Sequence, residues 1–140
     1  MTMKLPLTGG CACGAIRYEC DAEPMMMFYC HCRDCQRASG GAYSAAVLLP
    51  TKEFRITQGE AKYFSVPSMA GGEHTRGFCP ECGSRLFGAV QEDRPFIGVL
   101  AASLDDPGIF QPACHIFVAD AESWHCMEDG LPRHRHYMPM

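Results

Sequence analysis

The stretch Cys30-His31-Cys32-Arg33-Asp34-Cys35 puts three sulfurs within six residues. Working outward, Cys11 and Cys13 form C-x-C inside Gly9-Gly10-Cys11-Ala12-Cys13-Gly14. Cys79 and Cys82 form C-x-x-C inside Phe78-Cys79-Pro80-Glu81-Cys82-Gly83-Ser84. Cys20, Cys114 and Cys126 stand alone. One- and two-residue gaps do not favour disulfides, because bridging such neighbours constrains little and strains the chain. Metal ligands do favour them, since a tight turn aims two sulfurs at one ion about 2.3 Å away. The cysteines therefore read as metal ligands placed at strand ends and in loops.

The rest of the chain fits such a reading. A length of 140 residues suits one domain, 1–140. No linker, repeat or low-complexity tract interrupts it. Met1–Gly10 carries one basic residue and no apolar run of signal-sequence length, and no stretch nears the roughly 20 apolar residues of a membrane span. The expectation is a cytoplasmic protein without a membrane partner. The formal charge is −4; seven ionised thiols lower it by seven and two zinc ions return four, giving −7. A protein that acidic has no general electrostatic reason to bind nucleic acid.

Short apolar or alternating runs between turn signals predict strands over Ala15–Cys20, Met25–His31, Tyr43–Leu49, Glu53–Thr57, Ala61–Val66, Arg85–Val90, Pro95–Ala101 and Cys114–Val118. Gln58-Gly59 reads as a hairpin turn. The one helical turn is expected at Arg33–Ser39, ended by Gly40-Gly41. The fold class is mainly β.

Two metal sites follow. Cys11, Cys13, Cys79 and Cys82 make a closed tetrahedral set, the usual structural arrangement, with a glycine after each pair to permit positive φ. The ion would join positions about 70 residues apart and contribute to stability. Cys30, Cys32 and Cys35 leave a fourth zinc position for water or substrate, as catalytic zinc sites do. Cys20, Cys114, His115, Cys126 or a tail histidine could close that site instead; His31, between two ligands, points the other way. The open ion is expected to yield to chelators first, because solvent reaches it. A 4Fe–4S cluster lacks its usual cysteine spacing, and a redox dithiol lacks its βαβ context.

At the level of whole motifs the chain resembles the glutathione-dependent formaldehyde-activating enzyme family, which includes centromere protein V-like proteins. The matching segments are Gly9–Tyr18, Cys30–Gly40, Arg76–Phe87, Ser103–Pro107 and the pieces of His115–Pro132 reading H-I-F, S-W and D-G-L-P. The resemblance implies a β-tent fold of short antiparallel sheets. It implies structural zinc on Cys11, Cys13, Cys79 and Cys82 and catalytic zinc on Cys30, Cys32 and Cys35. It also implies a carbon–sulfur lyase that joins glutathione and formaldehyde to S-hydroxymethylglutathione, or acts on a related thiol adduct. The alternative is a non-enzymatic zinc-stabilised binding module or a thiol carrier.

Glutathione carries two carboxylates, so a site for it should offer cations. Arg33 and Arg37 flank the three-cysteine motif and Arg85 follows the second pair; arginine forks suit carboxylates, although solvated surface charges look the same in sequence. Asp34 orients the loop or faces water. Ser39 and Ser84 donate to metal-bound sulfurs or cap turns. His115 reads as a satisfied core histidine, Trp124 as core or pocket wall, and Arg133-His134-Arg135-His136 as a flexible surface end.

Overall fold

The computed structural model describes residues 3–68, 71–91 and 93–138. Its strands, in chain order, are β1 Leu7–Gly10, β2 Arg17–Cys20, β3 Met26–Cys30, β4 Ser44–Pro50, β5 Phe54–Gln58, β6 Lys62–Pro67, β7 Glu73–Phe78, β8 Arg85–Gly88, β9 Phe96–Leu100 and β10 His115–Ile116. The α-helix α1, Arg33–Ser39, lies between β3 and β4. β1, β2 and β5 make an antiparallel three-stranded sheet in the order β1-β2-β5; the remaining strands make a seven-stranded sheet in the order β10-β3-β4-β9-β8-β7-β6. The protein is mainly β, with short sheets and cysteine clusters in its connections, in keeping with a β-tent fold.

Alternation decides which way the central strands face. Ala45, Val47 and Leu49 of β4 and Met27 of β3 pack on a cluster that includes Tyr18, Phe54, Leu86, Phe87, Ile97 and Val99, drawn from both sheets. The opposite face of the same two strands, Ala46, Leu48, Met26, Phe28 and Cys30, packs on a second cluster with Cys32, Cys35, Cys114, Ile116 and Phe117. The three-cysteine motif is thus built into a core, whereas the four-cysteine set lies at the edge of the larger one. Each fully buried Val, Leu or Ile stabilises by about 1.5–3 kcal/mol.

Four expectations need correction. Gln58-Gly59 makes no hairpin: β5 pairs with β2 and β6 with β7, so the turn carries the chain from one sheet to the other. β7 had no sequence signal, since Glu73–Phe78 is largely polar; it forms because β6 and β8 supply hydrogen-bond partners on both sides. β1 was missed for its two glycines, and Gly9 is required where the Tyr18 ring crosses it. The β10–β3 pair is parallel, an exception among otherwise antiparallel pairs.

Candidate metal centres

The four-cysteine cluster is made by two turns of like construction. After β1, the Gly14 N–H donates to the Cys11 carbonyl at 3.2 Å and the Cys11 N–H to the Ile16 carbonyl at 3.2 Å. After β7, the Gly83 N–H donates to the Cys79 carbonyl at 2.8 Å and the Cys79 N–H to the Ser84 carbonyl at 2.9 Å. Gly14 and Gly83 both adopt positive φ, 81° and 77°, which a side chain would resist. The four sulfurs lie within 4.8 Å of one another. Cys11 and Cys13 are 3.6 Å apart and Cys13 and Cys79 3.8 Å, close to the roughly 3.8 Å edge of a zinc–thiolate tetrahedron with 2.3 Å bonds. The donor set and its spacing fit a tetrahedral ion.

Ser84 ties the two turns together. Its Oγ accepts the Ala12 N–H at 3.0 Å and lies 3.2 Å from the Cys82 Sγ, to which it can donate. Hydrogen bonds from the Ser84 hydroxyl and backbone bring the Cys82 thiol down to about 6. The Ile16 N–H donates to the Cys11 Sγ at 3.2 Å in the same manner.

The second cluster, Cys30, Cys32 and Cys35, also lies within 4.8 Å, all three residues buried. Cys30 ends β3. Cys32 caps α1, its Sγ accepting the Cys35 N–H at 3.3 Å, and Cys35 sits in the first turn. Gly40 closes the helix in the left-handed region, φ 73°, as its sequence suggests. Hydrogen bonds from the Cys30 and Cys32 thiols lower the Cys35 thiol strongly, and the bonds of Cys30 with Cys32 and Cys35 raise Cys30. Among the described residues no fourth His, Cys, Asp or Glu joins this set, and Cys20, Cys114, His115, Cys126 and the tail histidines all stay outside it.

His115, one of the residues that could have closed this site, is engaged elsewhere, as is His31. His31 Nε2 is 2.8 Å from His115 Nδ1, and His115 Nε2 is 2.7 Å from Asp129 Oδ2. With Asp129 accepting from Nε2–H, His115 Nδ1 accepts from His31 Nε2–H, a tautomer assignment that follows from the bonding pattern. Burial pushes His31 down to about 4, so it stays neutral. The chain of three fastens the cysteine motif to the C-terminal segment. Gln36 adds to the same anchorage, donating from Nε2 to the carbonyls of His31 and Asp120.

The remaining sequence candidates separate. Arg37 lines a cavity of about 340 Å³ beside α1, together with Asp34, Arg76 and Arg85. Arg33 bonds Gln36 and lies 3.9 Å from Glu122, outside that lining. Arg76 went unremarked because it sits on the unrecognised strand β7; its Nη2 donates to the Cys35 Sγ at 3.6 Å. Ser39 caps a turn, accepting the Gly41 N–H. Trp124 is 69% exposed, neither core nor a wall of this cavity. The tail is not free: the Phe117, Val118 and Ala119 N–H groups donate to the carbonyls of His136, His134 and Arg135. The stated reason for an easily lost second ion also fails. Cys13 and Cys82 of the four-cysteine set are exposed, while all three cysteines of the other set are buried.

Residues 6–120 match the family described as Glutathione-dependent formaldehyde-activating enzyme. The chain belongs to that family. Curated relatives each described as "Putative glutathione-dependent formaldehyde-activating enzyme" include one from Talaromyces marneffei, 27% identical over 78% of this chain and 59% of its own length. Another, from Phaeosphaeria nodorum, is 29% identical over 74% of this chain and 52% of its own length. The chain thus spans about half the length of the curated relatives it matches. A Rhodobacter sphaeroides protein of known crystal structure shares the fold, with a TM-score of 0.55 and 21% identity over 70% of this chain and 87% of that one. Membership of the formaldehyde-activating family agrees with the two cysteine clusters, each able to hold a metal ion. No helix among the described residues is long and apolar enough to cross a membrane.

Proposed function

We propose that this chain is a single-domain zinc-dependent carbon–sulfur lyase of a reducing, cytoplasmic setting. It joins a small thiol, glutathione or a close analogue, to formaldehyde. Cys11, Cys13, Cys79 and Cys82 would hold a structural zinc, and Cys30, Cys32 and Cys35 a catalytic one. The observation that carries the reading is the second cluster: three converging buried sulfurs with no fourth protein ligand among the described residues, next to an arginine-lined cavity. All ten cysteines are free thiols, as metal ligation in a reducing compartment requires.

The donor set suits a thiol better than water. Three thiolates already donate charge to a bound zinc, which mutes its power to acidify water but leaves it able to hold an incoming thiol as thiolate and fix its sulfur. In the reaction the thiol gives up its proton and its sulfur forms a bond to the formaldehyde carbon. The carbonyl π pair moves to oxygen, which takes up a proton; no oxidant or reductant is needed. The protein contributes orientation: α1 and β3 fix the three sulfurs, the His31–His115–Asp129 chain holds their loop, and the cavity admits the substrate. Arg37 is proposed to hold a carboxylate there.

The test is the rate of S-hydroxymethylglutathione formation from glutathione and labelled formaldehyde, followed by NMR against the uncatalysed rate. The zinc-loaded protein should accelerate it at least about tenfold, and Cys32→Ser should return it to background. Thiol binding without acceleration would replace the lyase by the thiol-carrier reading.

A further inference from the structure

The cavity beside the three-cysteine cluster carries an unbalanced charge. Arg37 on α1, Arg76 on β7 and Arg85 on β8 all line it, with Ala38, Phe64, Val66 and Phe78 as its apolar wall. Asp34 is the one acid in the lining, and it lies 3.9 Å from the His74 Nδ1. Among the described residues no carboxylate oxygen comes within 4 Å of Arg37, Arg76 or Arg85, although Arg17, Arg33 and Arg55 each have such a partner. Three guanidinium groups from three separate elements therefore converge on one apolar-walled space without anions of their own.

The three differ in what already occupies them. Arg76 faces the sulfur of Cys35 at 3.6 Å. With a divalent ion bound, three thiolates would leave one net negative charge for Arg76 to answer. Arg85 donates from Nη1 to the Ala38 carbonyl at 3.3 Å, at the end of α1, while its buried Nε has no partner. Burial and the charge of Arg76 both push the Arg85 guanidinium down, so a nearby anion would relieve it. Arg37, two residues beyond Cys35 on α1, makes no ion pair among the described residues.

We propose that Arg37 and Arg85 are the specificity-determining residues of this centre, gripping a carboxylate of the substrate while its sulfur enters the fourth position of the Cys30/Cys32/Cys35 ion. The substrate class is then a thiol acid, with an aliphatic spacer lying along Phe64, Val66 and Phe78. Two guanidinium forks meet one carboxylate better than any pair of ammonium groups would. Arg85 follows Cys82 by three residues, so the four-cysteine cluster also positions this grip on the substrate. The inference rests on the reading that a thiol binds at the three-cysteine ion.

The experiment uses the full chain loaded with Co²⁺, and reads thiolate-to-cobalt charge-transfer absorption during titration with 3-mercaptopropionate and, separately, with 2-mercaptoethanol. The acid should bind at least about tenfold more tightly, the scale of one charge-assisted hydrogen-bond pair. Arg37→Gln should reduce that preference severalfold without changing the affinity for 2-mercaptoethanol. Arg85→Lys, which keeps the charge and loses the fork, should do the same, and Arg33→Gln should do neither. Equal affinity for both thiols in the wild type, or a preference unchanged by Arg37→Gln and Arg85→Lys, overturns the arginine assignment while leaving the thiol at the metal. Absorption unmoved by either thiol overturns both that reading and this one.

Discussion

The two cysteine clusters use the same atoms in opposite settings. The four-cysteine set is coordinatively complete yet lies at the surface, with Cys13 and Cys82 exposed. The three-cysteine set is one ligand short yet lies in a core with Phe28, Ile116 and Phe117. Coordination and burial are therefore separate properties, and on the proposed reading the function follows the first. A closed shell would use all its positions to hold the turns after β1 and β7 together. An open shell inside a rigid apolar setting would keep one position for a guest and fix where that guest's sulfur must sit.

The contrast is broken most directly by removing one sulfur from each set. Cys79 is wholly buried where two distant turns meet, so Cys79→Ser should cost several kcal/mol and leave little soluble folded protein. Cys32→Ser should give a folded protein that has lost one ion. Thermal unfolding and metal content on both variants check this. Equal loss of stability would show that both ions serve the fold.

Chelation sharpens the question of which property governs lability. Four thiolates hold an ion more firmly than three, while exposure favours attack on the four-cysteine set. We expect coordination to win: a first ion leaves in mild chelator, and Cys32→Ser protein keeps its single ion under the same treatment. If the Cys32→Ser protein is the one stripped, burial governs instead.

The buried set depends on neutral histidine in a way the exposed set does not. His31 is lowered from 6.5 to about 4, so the unfolded chain binds its proton first. Stability is fully present above about pH 6.5 and falls as the pH drops toward 4, by up to about 3 kcal/mol. His31→Leu should flatten this slope in denaturant unfolding at constant metal content; an unchanged slope would place the acid sensitivity elsewhere. The smallest effect is expected at Ser84→Ala. Losing the hydroxyl beside Cys82 should raise that thiol and weaken the structural ion by about tenfold in competition titrations, with little change in fold.

Much of this was legible in the sequence because short-range spacing carries it. Both cysteine sets, the helix Arg33–Ser39, the glycine after each pair and the engagement of His31 away from the metal are properties of a few neighbouring residues. What stayed hidden depends on strand order. β7 is polar and is made a strand by its neighbours, so Arg76 could not be placed beside Cys35, 41 positions earlier. The His115–Asp129 link and the docking of the 133–136 segment on Phe117–Ala119 arise from tertiary packing that no local pattern encodes. Arg33 and Arg37 look alike in sequence; the helix turns one toward Glu122 and the other toward the cavity.

The central claim is that the three-cysteine ion takes its fourth sulfur from outside the protein. Zinc-edge X-ray absorption on the two-zinc protein, with and without glutathione, counts those sulfurs. The account requires seven sulfurs shared by two ions without thiol, rising to eight when glutathione is bound. A count of seven that glutathione leaves unchanged, with a protein nitrogen or oxygen completing the second shell, would contradict it and make the protein a zinc-stabilised binding module.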